Sequence, residues 1–600
     1  MPLKLPSLRL PGVRMPSLPA PSARAEPADY AETVEAIKPA LPRLDETEFF
    51  EWLKSRRRAV FLFGPPGTGK TYHATLLAAA GRVTLPGGIA VALYDAGAGG
   101  LLPCAGYFTV SMAHDAERRW RQMLGAVCDG QVATIHGLAV RSIGLGLRVF
   151  PVVYRDVEGR YRPYRVPGSK AVLEPDVAQE VLRAEAAGSA GLKYSLDPYR
   201  QEAGNYVFHL FDYTLHVGGL PALREAYRRL DYRGRETWRR YLRLLGWGDA
   251  LIGETLSGRA ASLCEAAGGA HELWRALAGG RVRLDFSLVV EAARCLRQPY
   301  EVRCGRRRVK PKVLMLDEFQ DLSPALRNLV ARIFDAAEYV VLAGDDDQLI
   351  YDSLHGASVD VTLKIVEMIQ RGETPGEYHV LARSFRLPEE PLARLARRII
   401  EQEPNRVKKV WRGREDVKGE LRRVPCERLE EHVERELAAG HRVFALTADN
   451  ATALSVMMRL HARGFIVAGL KGLPARLRQL YKELYERLTQ GTLLDVAKRA
   501  DHEIVRFLEA IKGRERETAQ LLKLALDRER ELERLEKLRL FVDTVHASKG
   551  LEVDAVFVIN SATSERPAGN RRLAYVALSR ARKRVYVVEC EGGHRWLADL

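Results

Sequence analysis

Residues 59–71 read AVFLFGPPGTGKT, an apolar run, a glycine-rich loop and a Lys–Thr pair at the start of a helical pattern. Few folds accommodate this order. A buried strand must end at the loop and a helix must begin on its far side, so that backbone N–H groups converge on one point. Gly64, Gly67, Thr68 and Gly69 form a cradle whose main chain closes around phosphate groups. Lys70 then reaches the outer phosphates, and the Thr71 hydroxyl is placed to bind Mg²⁺.

The rest of the chain keeps this α/β rhythm. Short runs rich in Val, Ile, Leu and Phe predict buried parallel strands at 59–63, 107–110, 313–316, 340–343, 378–381, 443–446, 555–559 and 585–588. Most end in a Gly, Asp, Ser or Thr cluster, and ligands bind at the carboxyl ends of such strands. Two clusters stand out. VLML-DEFQD at 313–321 places Asp317 to hold Mg²⁺ and Glu318 to orient and deprotonate a water. VVLAGDDDQLIY at 340–351 places Gln348 to sense the terminal phosphate or that water.

Two stretches break the rhythm. Residues 141–285 are mostly helical in pattern and rich in Arg, Tyr and Leu. Residues 471–540 are densely charged, and Leu522, Leu526, Leu532, Leu535 and Leu538 predict a long amphipathic helix. At the other end, prolines every few residues in 1–28 predict a disordered basic tether. No run of about 18 apolar residues occurs, so no membrane-spanning helix is encoded. The formal charge of +16 across 600 residues suggests a polyanionic partner, nucleic acid before a membrane surface. Seven cysteines without a C-x-x-C pair exclude familiar zinc and iron–sulfur spacings, and the odd count fits scattered reduced thiols in the cytoplasm. Asn and Gln are scarce beside Arg, Leu and Glu, a bias that fits a hot source.

At these residues the chain resembles the superfamily 1A helicases, the group of UvrD, Rep and PcrA. Gly64–Thr71 is similar to motif I, Asp317–Asp321 to motif II and Gly344–Tyr351 to motif III. LARSFR at 381–386 resembles motif IV, TVHASKGLE at 544–552 motif V, and LAYVALSRAR at 573–582 motif VI. ATIHGLAVR at 133–141 resembles motif Ib, and VSMAHDAERRW at 110–120 a diverged motif Ia. The order covers most of 55–590. The resemblance implies two RecA-like P-loop NTPase cores with parallel sheets, each carrying a mostly helical insertion. The first core then takes 29–140 and 286–375, with 141–285 as its insertion. The second takes 376–470 and 541–600, with 471–540 as a short 2B-like insertion.

It also implies an ATP-dependent, 3′-to-5′ motor on single-stranded DNA, with RNA left open, working as a monomer with room for an accessory protein. Arg386 and Arg580 are expected to reach the γ-phosphate across the cleft between the cores, and Glu552 to contribute to the nucleotide site. An arginine finger of this kind is worth about 10³–10⁵ in rate. Met112, His136, Tyr351 and His546 fall at positions that contact the nucleic acid in the family.

Some positions depart from the family. No glutamine precedes the P-loop in ETEFFEWLKSRRRAVF, so the usual reader of adenine is missing. The residues expected to sandwich the base are Tyr72 and Phe385. Met112 stands where the family stacks a Phe, and the motif III Trp position falls at Ser353 or Leu354. The stretch 82–102 has no assignable counterpart. Two other readings remain beside the motor: an ATPase that remodels protein–DNA complexes with little unwinding, and an ATP-gated clamp.

Overall fold

A computed structural model describes residues 25–94, 101–107, 110–125, 127–351, 355–490, 515–526, 537–560 and 570–590. Two fully parallel sheets organise them. The first orders its strands as Gly376–Val380, Arg58–Phe63, Tyr339–Gly344, Val313–Leu316, Pro103–Tyr107 and Val132–Thr134. The second runs Glu420–Pro425, Ala581–Glu589, Val553–Asn560, Val443–Thr447 and Leu540–Thr544. Each sheet is covered by helices, so its central strands are buried on both faces and read as unbroken apolar runs. The fold is thus mixed α/β with two RecA-like cores.

The entry to the P-loop is anchored by the Thr47–Lys54 helix, which buries Phe49, Phe50, Trp52 and Leu53. Burial of such side chains stabilises by about 1.5–3 kcal/mol each. Phe49 stacks on Phe319, and Phe61 of the P-loop strand meets Phe319 edge-on. One aromatic cluster therefore fixes the loop and the acidic turn relative to each other.

Several expectations are corrected. The predicted 107–110 strand is Pro103–Tyr107, and a helix already starts at Val110. Pro, Cys, Ala and Gly carry little apolar signal, yet they suit a crowded central position. A Cβ on Gly106 would lie 2.5 Å from Ile135 Cδ1. The Gly376–Val380 strand pairs with Arg58–Phe63, so the first sheet extends past residue 375 and ends at Val380. A helix spans Ala25–Ile37, beginning inside the expected tail, with Pro27 in its first turn where no N–H is needed. The 82–102 stretch contains an antiparallel hairpin, Arg82–Leu85 with Ile89–Ala92.

The 141–285 region is mainly helical, but it also holds a small antiparallel sheet at 153–155, 161–162 and 170–172. Tyr199 from this region packs into the second core and donates to Asp543 Oδ2 at 2.7 Å. In 471–540, helices Ala475–Gln490 and Glu515–Leu526 send Leu477, Tyr481, Leu484 and Leu522 into the second core. The expected long helix does not run to its end, because Leu540 opens a strand, and Leu532 and Leu535 lie outside the described residues.

The reduced-thiol expectation is also overturned. Cys128–Cys304, Cys264–Cys295 and Cys426–Cys590 are disulfides, and Cys104 is a buried free thiol. Sequence separations of 176, 31 and 164 concealed partners that only the fold brings together. Among the described residues no helix is long and apolar enough to cross a membrane.

Candidate nucleotide site between the two cores

The P-loop leaves the Arg58–Phe63 strand and ends at the helix Lys70–Ala80. Gly67 and Gly69 have φ of +75° and +79°, a left-handed conformation that side chains disfavour. Space is a second reason at Gly67, where a Cβ would lie 2.3 Å from Arg386 Cβ. Lys70 is buried and donates to Gly64 O at 2.7 Å and Pro65 O at 3.3 Å. Burial holds its ammonium below the ordinary lysine range, although Asp345, Glu318 and Asp317 oppose this.

The acidic turn follows the Val313–Leu316 strand. Thr71 Oγ1 donates to Asp317 Oδ2 at 2.7 Å, joining the two predicted metal ligands. Burial and the adjacent Glu318 push the Asp317 carboxyl up to about 7. A buried carboxyl short of counter-charge, beside a hydroxyl, offers the hard oxygen donors that Mg²⁺ takes. Glu318 sits at φ +49°, uncommon for a residue with a side chain. Burial alone would raise its pKa. Lys549, Lys70, a hydrogen bond from Gln320 and Arg580 bring it net below the ordinary glutamate range.

The second core closes the site. Lys549 pairs with Asp321 and donates to Gln348 O at 2.7 Å. Arg580 donates to Gln348 Oε1 at 2.8 Å. Arg386 pairs with Glu552 and donates to Ser579 O at 3.1 Å. Glu552 also pairs with Arg582, so it presently engages two guanidiniums of its own core. Phe385 N–H donates to Gly67 O at 2.8 Å and Ser384 Oγ to Pro66 O at 2.6 Å, holding the LARSFR segment directly on the P-loop. Tyr72 and Phe385, one from each core, are each 52 % exposed.

The structure therefore gathers Gly64, Gly67, Thr68, Gly69, Lys70, Thr71, Asp317, Glu318, Gln348, Arg386, Glu552 and Arg580 around one cleft. The expected nucleic-acid residues are placed differently. Tyr351 lies between the cores, donates to His546 O at 3.1 Å and carries Lys549 over its ring. His546 Nε2 lies 3.1 Å from Ile350 O. The His136 ring packs against His216 and Phe286. The Met112 side chain, Ser353 and Leu354 lie outside what is described.

Sequence reading missed four contributors. Gln320 donates to Glu318 Oε2 at 2.6 Å and accepts from Asp345 N at 3.0 Å, tying the two acidic turns together. Lys549 was legible only as part of a motif. Arg406 and Lys409 carried no recognisable signal.

Two family models match regions that contribute to this cleft. Residues 213–369 match the UvrD/REP helicase N-terminal domain and residues 539–588 the UvrD-like helicase C-terminal domain. No curated protein matches the chain. Among solved structures, the chain is similar to Arterivirus nonstructural protein 10 (helicase) in complex with DNA, at 11 % identity and TM-score 0.29, covering 90 % of this chain and 63 % of that one. The same viral helicase in a second crystal structure gives 11 % identity and TM-score 0.29, covering 90 % and 61 %. The chain thus spans under two thirds of the length of these structures. With both helicase domain models matched in order around one cleft, the two matched regions support a UvrD/Rep-like superfamily 1 helicase.

Proposed function

We propose that the chain is an ATP-driven motor that moves 3′-to-5′ along single-stranded DNA. The observation that carries this is the meeting of Lys70, Thr71, Asp317, Glu318 and Gln348 of the first core with Arg386, Lys549 and Arg580 of the second. The polarity rests on the family resemblance. When bound, Mg²⁺ would neutralise phosphate charge, held by Thr71 and Asp317.

The chain's own residues do the rest. The P-loop amides and Lys70 hold the phosphates. Glu318, kept ionised by Lys549 and Lys70, accepts a proton from the attacking water. Gln348 orients that water. Arg386 and Arg580 place positive charge where negative charge builds up during phosphoryl transfer. Because these arginines belong to the other core, hydrolysis relaxes an attraction across the cleft and the cores move apart.

Steady-state ATPase with and without single strands, and strand displacement on 3′-tailed, 5′-tailed and blunt DNA and RNA, test this reading. ATPase stimulated by single strands and displacement only from 3′ tails are expected. Displacement from 5′ tails alone would refute the polarity, and absence of ATPase would refute the motor.

A second reading, translocation with weak unwinding, is favoured by Tyr351. Its hydroxyl and ring are engaged between the cores. Stacking grip is worth about 1–3 kcal/mol per base, comparable with about 1.4 kcal/mol for opening a base-pair step.

A further inference from the structure

Three aspartates follow the Tyr339–Gly344 strand, but Gln348 uses only one of them. Its Nε2 donates to Asp345 Oδ2 at 2.9 Å. All three acids are buried and converge on one ammonium. Lys409 Nζ lies 3.0 Å from Asp345 Oδ1, 2.8 Å from Asp347 Oδ2 and in contact with Asp346, and its side chain is fully inaccessible. Arg406 grips Asp347 through two bonds of 2.8 and 2.7 Å, and Val407 N–H donates to Asp346 Oδ2 at 2.7 Å. Residues 405–410 follow the Arg394–Ile400 helix and precede Arg412–Arg414, which pairs with the LARSFR strand. The lysine therefore comes from the second core and the acids from the first.

A buried ammonium is costly unless fully paired, and here three carboxylates surround it. The benefit is mutual. Burial would raise the Asp345 carboxyl, yet Lys409 and Lys70 hold it below the ordinary aspartate range. An ionised carboxylate only accepts hydrogen bonds. Gln348 must then turn its NH₂ toward Asp345, which leaves Oε1 facing the Arg580 guanidinium at 2.8 Å. The chain of contacts runs Lys409, Asp345, Gln348, Arg580, crossing between the cores twice.

We propose that Lys409 is a positioning residue of the ATPase centre: acting through Asp345, it fixes which end of the Gln348 amide faces Arg580, while Arg406 and Val407 hold the same segment on the first core. A lysine lost from this cluster leaves Arg406 on Asp347 and Lys70 alone opposing the burial of Asp345. Burial then favours a protonated Asp345, which can donate, and the Gln348 amide loses the reason for its orientation. This inference rests on the motor reading above.

A double-mutant cycle separates positioning from mere stapling, because effects that pass through a shared partner are non-additive. Lys409→Met is measured in the wild-type and in the Gln348→Ala background by single-strand-stimulated ATP turnover. Exchange of the Val407 amide is followed in the nucleotide-free protein. In the wild-type background kcat is expected to fall about tenfold or more, with KM for ATP changing less than about threefold. In the Gln348→Ala background the same substitution should cost less than about twofold, and Val407 exchange should quicken about tenfold or more.

Equal losses in both backgrounds, unchanged kcat or unchanged Val407 exchange would overturn the proposal. If Lys409→Met does not fold, the charge-balanced pair Lys409→Met with Asp346→Asn carries the same comparison, since Asp345 still lacks the Lys409 ammonium. A wild-type protein without stimulated turnover would instead refute the motor reading, and the exchange measurement would then judge the latch alone.

Discussion

Glu318 illustrates how much of the chemistry is held by single residues. Its left-handed backbone and its hydrogen bond from Gln320 aim the carboxylate, and Lys549 of the other core keeps it charged. Glu318→Gln is isosteric and leaves Thr71 and Asp317 intact. Nucleotide affinity should change less than about threefold while turnover falls by about 10²–10⁴, measured by equilibrium binding and steady-state ATPase. Near-normal turnover would assign the base elsewhere. The base-binding side makes a separate prediction. Tyr72 and Phe385 are exposed aromatics, and no glutamine precedes the P-loop. Stacking without edge-reading contacts cannot reject another purine strongly. GTP should therefore support kcat/KM within about tenfold of ATP, a gap of about 1.4 kcal/mol. A preference of several hundredfold would reveal a polar contact to the base.

Helices carry a pH dependence of their own. The Ala203–Val217 helix is buried along nearly its whole length, and His216 on it bonds Ser323 at 2.9 Å. Burial holds His216 well below the ordinary range, with His355 and His136 nearby adding to the effect. His461, at the end of the Asn450–His461 helix, is lowered to about 4, again chiefly by burial. These folded-state values lie below the unfolded value near 6.5. The unfolded chain thus binds more protons, and stability is full above about pH 6.5 and declines as pH falls toward 4. Between pH 7 and 5 a group such as His461 should cost about 2 kcal/mol. The urea midpoint should drop accordingly, and a flat profile over that interval would show that these rings accept protons in the folded state. At the same scale, the two described helices of 471–540 each dock one apolar face on the second core, through Leu477, Tyr481, Leu484 and Leu522.

Across the whole molecule, three disulfides and the net charge make two further predictions. The Cys128–Cys304 and Cys426–Cys590 bridges close long loops, with sequence separations of 176 and 164. Bridges of this kind typically stabilise by about 2–4 kcal/mol each. A strong reductant should lower the melting midpoint by several degrees, and an unchanged midpoint would mean that the thiols are not bridged. The +16 charge, in turn, predicts that single-strand affinity falls with salt at a log–log slope of about −0.7 per phosphate neutralised. Salt-independent binding would separate that charge from the track.

The sequence by itself determined the local chemistry. Strand, loop and helix at 59–71 can hardly be arranged otherwise, and acids at strand ends announce a cation or phosphate site. Apolar runs located most central strands, because a strand buried on both faces needs apolar side chains throughout. Periodicity failed where small residues replaced them, as at Pro103–Tyr107, and where pairing was the question, as for Gly376–Val380. Everything that depends on long-range proximity was left to the tertiary structure: the three disulfides, Tyr199 reaching Asp543, Lys549 on Asp321, and Lys409 among Asp345, Asp346 and Asp347. Lysine in NRVKKV looks in sequence like any solvated charge. Only folding, which removes water from around it and brings three carboxylates from another core within reach, turns it into part of the site.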